Sequence, residues 1–319
     1  MYIEQAFKGL YDWWRYVLGV FIIFAAWQFI GMVPLGIAIV VKLFGTNMEQ
    51  IPTDIPQMIE LLGSNLFLFL MLISFAFGLL GVFVSAKTLH KQSIKMLTTV
   101  RDNIDWKRFW FIFFLWGMLS SGLVLLDYVL APEDYQLNFQ LKPFLILAVI
   151  AILLIPLQTS FEEYFFRGYL MQGLGVVFKN KWVPLLITSI GFGLMHIANP
   201  EVEKLGYIIM VYYIGTGLFL GIITLMDEGL ELALGFHAAN NLFTALLVTA
   251  DWTAFQTHSI LKDLSDPSKM AMAEIFVPVL IVFPILIFIL SKRYKWNNWK
   301  EKLIGTIVEP PKEDYKILE

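Results

Sequence analysis

The sequence predicts an all-α, polytopic membrane protein of about eight transmembrane helices, and three observations lead there. Hydrophobic residues make up 58% of the 319-residue chain and the mean hydropathy is +0.70, above the roughly 45–50% apolar content that a soluble domain normally carries. The apolar residues come in runs long enough to cross about 30 Å of hydrocarbon at about 1.5 Å per helical residue. Lys and Arg are grouped in alternate loops, which is a topology signature, and the net charge of -3 gives no reason to expect nucleic acid as a partner. No cysteine is present, which excludes disulfides, thiolate metal sites and cysteine nucleophiles.

Each segment follows from that pattern. Residues 1–15 read as a cytoplasmic N-terminal segment, with Trp13 and Trp14 where a helix enters the headgroup layer. Residues 16–142 hold three spans and a basic linker. The first span, about Tyr16 to Phe44, is too long for the apolar core of a secretory signal and carries Pro34 as a bend. The loop from Gly45 to Glu60 has Glu49, Asp54 and Glu60 but no Lys or Arg, and the second span runs from about Leu61 to Ala86. Between Lys87 and Arg108, basic residues alternate with Leu89, Ile94, Met96, Leu97 and Val100. This pattern fits an amphipathic cytoplasmic segment on an anionic leaflet, and equally an ordinary basic loop. The third span is about Phe109 to Leu130.

Residues 143–250 form the expected catalytic core of spans four to seven. Span four starts near Pro143 with apolar residues continuing to Phe178, and Gly173 or Gly175 offers a break. Spans five to seven cover about Trp182 to Ala198, Leu205 to Met226 and Leu230 to Ala250. Residues 251–291 supply an outer loop and an eighth span, and residues 292–319 a charged cytoplasmic tail whose stretch Glu309 to Asp314 has a disordered composition. Alternate segments carry 18 Lys and Arg on one side and 4 on the other. The positive-inside rule then puts both termini in the cytoplasm, which needs an even number of spans. That makes an integral membrane protein, of the plasma membrane if the source is bacterial, with the lipid bilayer as its surroundings.

Charge inside an apolar run is expensive and seldom kept without a use. Phe161 to Leu170 holds Glu162, Glu163 and Arg167 within such a run. On a helix Glu163 and Arg167, four apart, share a face, while Glu162 points elsewhere. One carboxylate is thereby neutralised and the other is left to exchange a proton. Two of the four histidines fall in spans: His196 follows Phe192 by four residues, and His237 precedes Asn241 by four, with Asn240 nearly on the same face. His90 and His258, in the basic linker and the outer loop, read as solvated. A glutamate, two histidines and an asparagine meet the needs of peptide-bond hydrolysis, with Glu162 and His196 activating water and His237 and Asn241 stabilising the oxyanion. The same set offers a second mechanism, in which Glu162, His196 and His237 hold a divalent metal such as zinc. Neither histidine motif is H-E-x-x-H.

These motifs resemble those of the CAAX protease and bacteriocin-processing family of intramembrane proteases, also called the CAAX prenyl protease 2 or lysostaphin-resistance-protein-like family. Its pattern is E-E-x-x-x-R, F-x-x-x-H and H-x-x-x-N or H-x-x-x-D, matched in order and spacing by Glu162-Glu163 with Arg167, Phe192 with His196, and His237 with Asn241. The resemblance covers about Ser160 to Leu246. It implies an eight-helix core whose catalytic cavity opens toward the cytosol. It also implies that Glu162 and His196 activate water and that His237 and Asn241 hold the oxyanion, with Glu163, Arg167 and Phe192 in support. Glutamate and metallo mechanisms both belong to what the family implies. The implied substrate is a membrane-associated peptide or protein cut near the cytoplasmic face, prenylated in part of the family.

Two other functions use the same residues: a proton- or metal-coupled transporter, and a non-catalytic bacteriocin-immunity or scaffold protein. The peptidase reading also carries a geometric demand. If span five starts at Trp182, His196 lies about 21 Å along it, so Glu162 reaches it only if the fourth helix continues past Arg167.

Overall fold

The computed structural model describes residues 1–45, 51–269 and 272–311. Glu49 and the tail from Lys312 to Asp314, part of the stretch expected to be disordered, lie outside the described residues. Among those described, six helical segments are long and apolar enough to cross a membrane. They are α1 (Trp13–Phe44), α3 (Ser64–Leu89), α5 (Trp106–Leu130), α6 (Leu141–Phe178), α9 (Tyr207–Asp227) and α11 (Met272–Tyr294). Short helices α2 (Ile55–Leu62), α4 (Ile94–Thr98), α8 (Pro200–Leu205) and α12 (Trp299–Ile304) join them. The remaining two expected spans are α7 (Trp182–Leu194), a shorter apolar helix, and α10 (Glu231–Leu247). Six of the eight expected spans thus have the length and hydropathy of a crossing, while α7 and α10 are shorter helices that run between the same two ends of the bundle. The protein is a polytopic, all-α integral membrane protein.

Burial divides the helices. Phe21, Phe29, Met118 and Val129 on α1 and α5 stay exposed, as suits side chains whose solvent is lipid. Helix α10, in contrast, is buried along most of its length and packs between α5 and α6, while α7 packs on α9 and α3 on α6. Small residues permit these close approaches, the usual device where apolar surface gains nothing by leaving lipid. A Cβ added at Gly217 of α9 would lie 2.7 Å from the Ser189 carbonyl of α7, and one at Gly235 of α10 would strike the Phe109 carbonyl of α5.

Three helices contain π-helical turns: Ala25–Ile30 in α1, Tyr164–Leu170 in α6 and Pro278–Val282 in α11. Helix α6 does not break at Gly173 or Gly175 but runs on to Phe178, as the position of Glu162 demanded.

Alternate connections gather at opposite ends of the bundle. At the basic end, the first residues form a 3-10 turn, Ile3–Lys8, with Tyr2, Ile3 and Phe7 buried. The Tyr2 backbone N–H donates to Glu228 and its hydroxyl to the Leu97 carbonyl. The basic linker forms only a five-residue helix, and its apolar Met96 and Leu97 turn into the protein. Its α4 buries Met96, Leu97 and Thr98, and Leu230 N–H donates to the Thr98 carbonyl at 2.7 Å. His90 is likewise buried rather than solvated: its Nδ1–H donates to the Leu10 carbonyl (2.6 Å) and its Nε2 meets the Tyr169 hydroxyl (2.8 Å). Burial pushes the His90 imidazole down to about 4. The sequence placed this histidine among lysines. Folding placed it under α1.

At the other end, strands β1 (Tyr135–Leu137), β2 (Val248–Thr249) and β3 (Leu261–Asp263) make a small sheet in the order β1-β3-β2. β1 pairs with β3 antiparallel and β2 with β3 in parallel. Hydropathy gave no sign of this sheet, because its strands are too short to leave a period.

Candidate functional site

Phe192, His237 and Asn241 converge on the middle of α6, and His196 shares a cavity with it. Pro156 removes one helical N–H two residues before Gln158, and the π-helical turn begins directly after Glu163, so the carboxylates sit between two irregularities of one helix. Such turns recur at functional sites because they re-aim side chains without ending the helix.

Glu163 and Arg167 are fully buried and bonded as their spacing predicts, with Arg167 Nη1–H donating to Glu163 Oε1 at 2.9 Å. The second guanidinium arm donates to the Gly217 carbonyl on α9 (2.9 Å), and the plane lies 4.5 Å from the centre of the Phe192 ring on α7. Arg167 thus ties α6 to both neighbours. Removing one partner of a buried pair leaves an uncompensated charge, a cost of about 3–5 kcal/mol.

His237 enters from α10. Its Nδ1 lies 2.8 Å from Glu163 Oε1, and since a carboxylate accepts, Nδ1 carries the proton. This leaves Nε2 facing Glu162 Oε2 at 3.6 Å. His237 is therefore buried between the two carboxylates. It does not line the open cavity described below.

Glu162 is held from another direction. Gln158, one turn earlier on α6, donates from Nε2 to Glu162 Oε1. The chain of donors continues backwards: Asn241 Nδ2 to Gln158 Oε1 (3.1 Å), Asn240 Nδ2 to Asn241 Oδ1 (3.1 Å), and Trp116 Nε1 to Asn240 Oδ1 (3.1 Å). Every link runs toward Glu162 and fixes one of its oxygens. The other, Oε2, is buried without a hydrogen-bond partner, as are Glu163 Oε2 and Arg167 Nε. Each orphaned buried group costs about 1–3 kcal/mol, more when charged, a burden that stability alone does not justify.

His196 lies just past the last turn of α7. Its Nδ1–H donates to the Phe192 carbonyl (2.8 Å), and its ring stacks on Tyr213 of α9 at 4.4 Å and 20°. With Nδ1 committed, Nε2 is the nitrogen left for chemistry. Among the described residues no group of three or more His, Asp or Glu side chains gathers to hold a metal ion. Glu162 and His237 approach one another, and His196 is not brought into that pair as a third ligand. No step through a metal follows from this arrangement.

A cavity of about 390 Å³ opens above these groups. Glu162, His196, Asn240 and Asn241 line it beside an aromatic wall of Trp27, Phe75, Phe161 and Phe165. Glu162 and His196 thus face one space, as the length of α6 allows. Glu201 also lines the cavity, accepting the Ala254 N–H at 2.9 Å, and its burial raises the carboxyl above its ordinary range. Sequence reasoning missed Gln158, Tyr213, Trp116 and Glu201. Gln158 had a signal, standing four residues before Glu162. Tyr213 and Trp116 look like any other aromatic in an apolar run.

Residues 141–243 match the family model of type II CAAX prenyl endopeptidase Rce1-like proteins. Over that stretch the chain is similar to the Rce1-like family. The matched segment contains Glu162, Glu163, Arg167, His196, His237 and Asn241, all the polar residues of the constellation that the motifs named. The chain is also 32% identical over 183 residues to "Uncharacterized protein YyaK" of Bacillus subtilis (strain 168). That alignment covers 57% of this chain and 61% of the relative, so the chain spans about three-fifths of the relative's length. No solved structure matches the chain significantly.

Proposed function

We propose that the protein is an intramembrane endopeptidase of the Rce1-like kind, acting by glutamate and histidine water activation on a membrane-associated peptide or protein. The observation that carries this reading is Glu162. It is a carboxylate with one oxygen fixed by Gln158 and the other close to His237 Nε2, at the wall of a cavity shared with His196.

In this reading a water lies between Glu162 and His196 Nε2. Glu162 takes a proton as the water oxygen bonds to the scissile carbonyl carbon. Negative charge develops on the carbonyl oxygen, where the second N–H of the Asn241 amide and the neighbouring Asn240 are the donors at the cavity wall. The carbon–nitrogen bond then breaks, and Glu162 passes its proton to the leaving amine. His237 supports this from behind, its tautomer set by Glu163, with Arg167 and Phe192 holding Glu163 in place. The oxyanion role assigned to His237 by its motif passes to the asparagines, because the imidazole is enclosed.

The test uses purified protein and a membrane-tethered peptide. Glu162→Gln keeps the size of the side chain and removes the base, so turnover should fall about 10²- to 10⁴-fold while the helical signal and melting profile stay unchanged. His196→Ala should fall in the same direction. Unchanged turnover in the folded Glu162→Gln variant rejects the assignment. Flux in liposomes without cleavage would indicate a transporter instead.

A further inference from the structure

The loops that line the cavity all belong to one end of the bundle. Asn199, Glu201, Trp252, Thr253, Phe255 and Asp263 come from the connections on the sheet side, and Ile55 comes from α2 on the same side. Among the described residues none of the basic end lines it: none from the first eleven residues, the linker around α4, the turn at Asp227 to Leu230, or the segment from Lys295 to Pro311.

The way to Glu162 from the basic end is closed. Below the carboxylates lie Arg167, Tyr169, Leu230 and Met226, all fully buried. Beneath them Asp227 receives Arg101 at 2.9 Å, Arg108 and the Trp296 indole at 3.1 Å, while Arg101 also reaches Glu231 at 3.1 Å. Lys302 caps the Met226 carbonyl at 2.9 Å.

These contacts join the very segments whose Lys and Arg made up the larger charge count, so the two groups of loops lie at two ends. Trp13, Trp14, Trp106, Trp110, Trp182 and Trp299 are exposed around the basic end, the place for an interfacial aromatic belt. A basic end with such a belt faces the cytoplasm by the positive-inside rule. The cavity mouth then faces away from it.

We propose that the cavity takes its substrate from the non-cytoplasmic face, as a neutral or basic peptide segment presented there. This rests on the peptidase reading for what happens next, but not for where the mouth is. It departs from the cytosol-facing cavity that the family resemblance implied. The lining agrees on charge: among the described residues it carries the carboxyl groups of Glu162, Glu201 and Asp263 and no Lys or Arg. A free C-terminal carboxylate, such as ends a CAAX-type peptide, finds no Lys or Arg to receive it among the described residues.

The chain has no cysteine, so single cysteines report access directly. Thr253→Cys at the mouth and Lys95→Cys at the basic end are expressed in the full chain and treated in intact cells with a charged, membrane-impermeant maleimide. Thr253→Cys should be labelled at once, and Lys95→Cys only after the membrane is opened. Thr244→Cys, deeper on α10, serves as a second mouth position if Thr253→Cys misfolds. Labelling of Lys95→Cys in intact cells, or no labelling from outside at either mouth position, overturns the proposal. A peptide tethered to one leaflet of vesicles with oriented protein completes it. Cleavage confined to the cytoplasmic leaflet also overturns it, whereas outside labelling with no cleavage on either leaflet upholds the mouth and removes the peptidase reading.

Discussion

The two ends of the bundle are built on opposite principles. At the basic end the chain closes on itself: the first residues, the linker, the turn after α9 and the segment around α12 are joined by ion pairs and backbone bonds over buried apolar side chains. At the other end, three short strands and the turn after α7 enclose a cavity, and the ion pair Lys262–Asp251 (2.7 Å) sits on the surface. The comparison teaches where rigidity is placed. The closed end fixes α6, α9 and α10 against one another, which holds Glu162 and His237 in register, while the open end leaves space beside Glu162.

Three measurements break or sharpen that contrast. The largest effect belongs to Asp227, which compensates two arginines from within the protein. Asp227→Ala takes this buried carboxylate from both, leaving Arg101 to Glu231 and Arg108 to Asp105, and should lower stability by about 3–5 kcal/mol, read as a drop in melting temperature in detergent. Cysteine labelling at the mouth should be unaffected, and equal loss of both would mean that the ends are not independent.

His90 gives the next effect, with a sign that follows from its environment. Burial holds the folded imidazole at about 4, below its ordinary value of 6.5. Above that ordinary value neither state is protonated and the full contribution is present. Between 6.5 and 4 the unfolded chain binds a proton that the folded chain refuses, so stability falls as pH drops through this window. The total is about 3 kcal/mol, at 1.36 kcal/mol per unit. Melting temperatures measured across that window should decline in the wild type and be flatter in His90→Gln; parallel curves would remove His90 from the account.

The smallest effect is expected at the mouth. Lys262→Ala deletes an exposed ion pair and should cost less than about 1 kcal/mol. A larger loss would mean that the sheet end is as tightly built as the basic end.

Much of the site was legible because helical spacing is a local property. Four residues place Glu163 beside Arg167 and His237 beside Asn241 whatever surrounds them, and the observed 2.9 Å pair agrees. The long α6 was legible too, because the charges of Glu162 and Glu163 had to be carried into the bundle. Other features had no local signature. Hydropathy assigns each apolar side chain a solvent but does not name it: Met118 faces outward and Trp116, two residues earlier, is buried against α10 with its indole on Asn240. The same blindness misplaced His90 and hid Gln158 in the line of donors leading to Glu162.

By itself the sequence determined that this chain lives in a membrane, where its intramembrane carboxylates lie, and which loops are basic. These follow from transfer free energy and helical period, which act residue by residue. Only the tertiary structure decided that His237 is enclosed between the carboxylates, that the asparagines stand at the cavity wall, and which end of the bundle is open. Those depend on how helices from distant parts of the chain close around one another, and packing of that kind leaves no trace in the order of residues along any one of them.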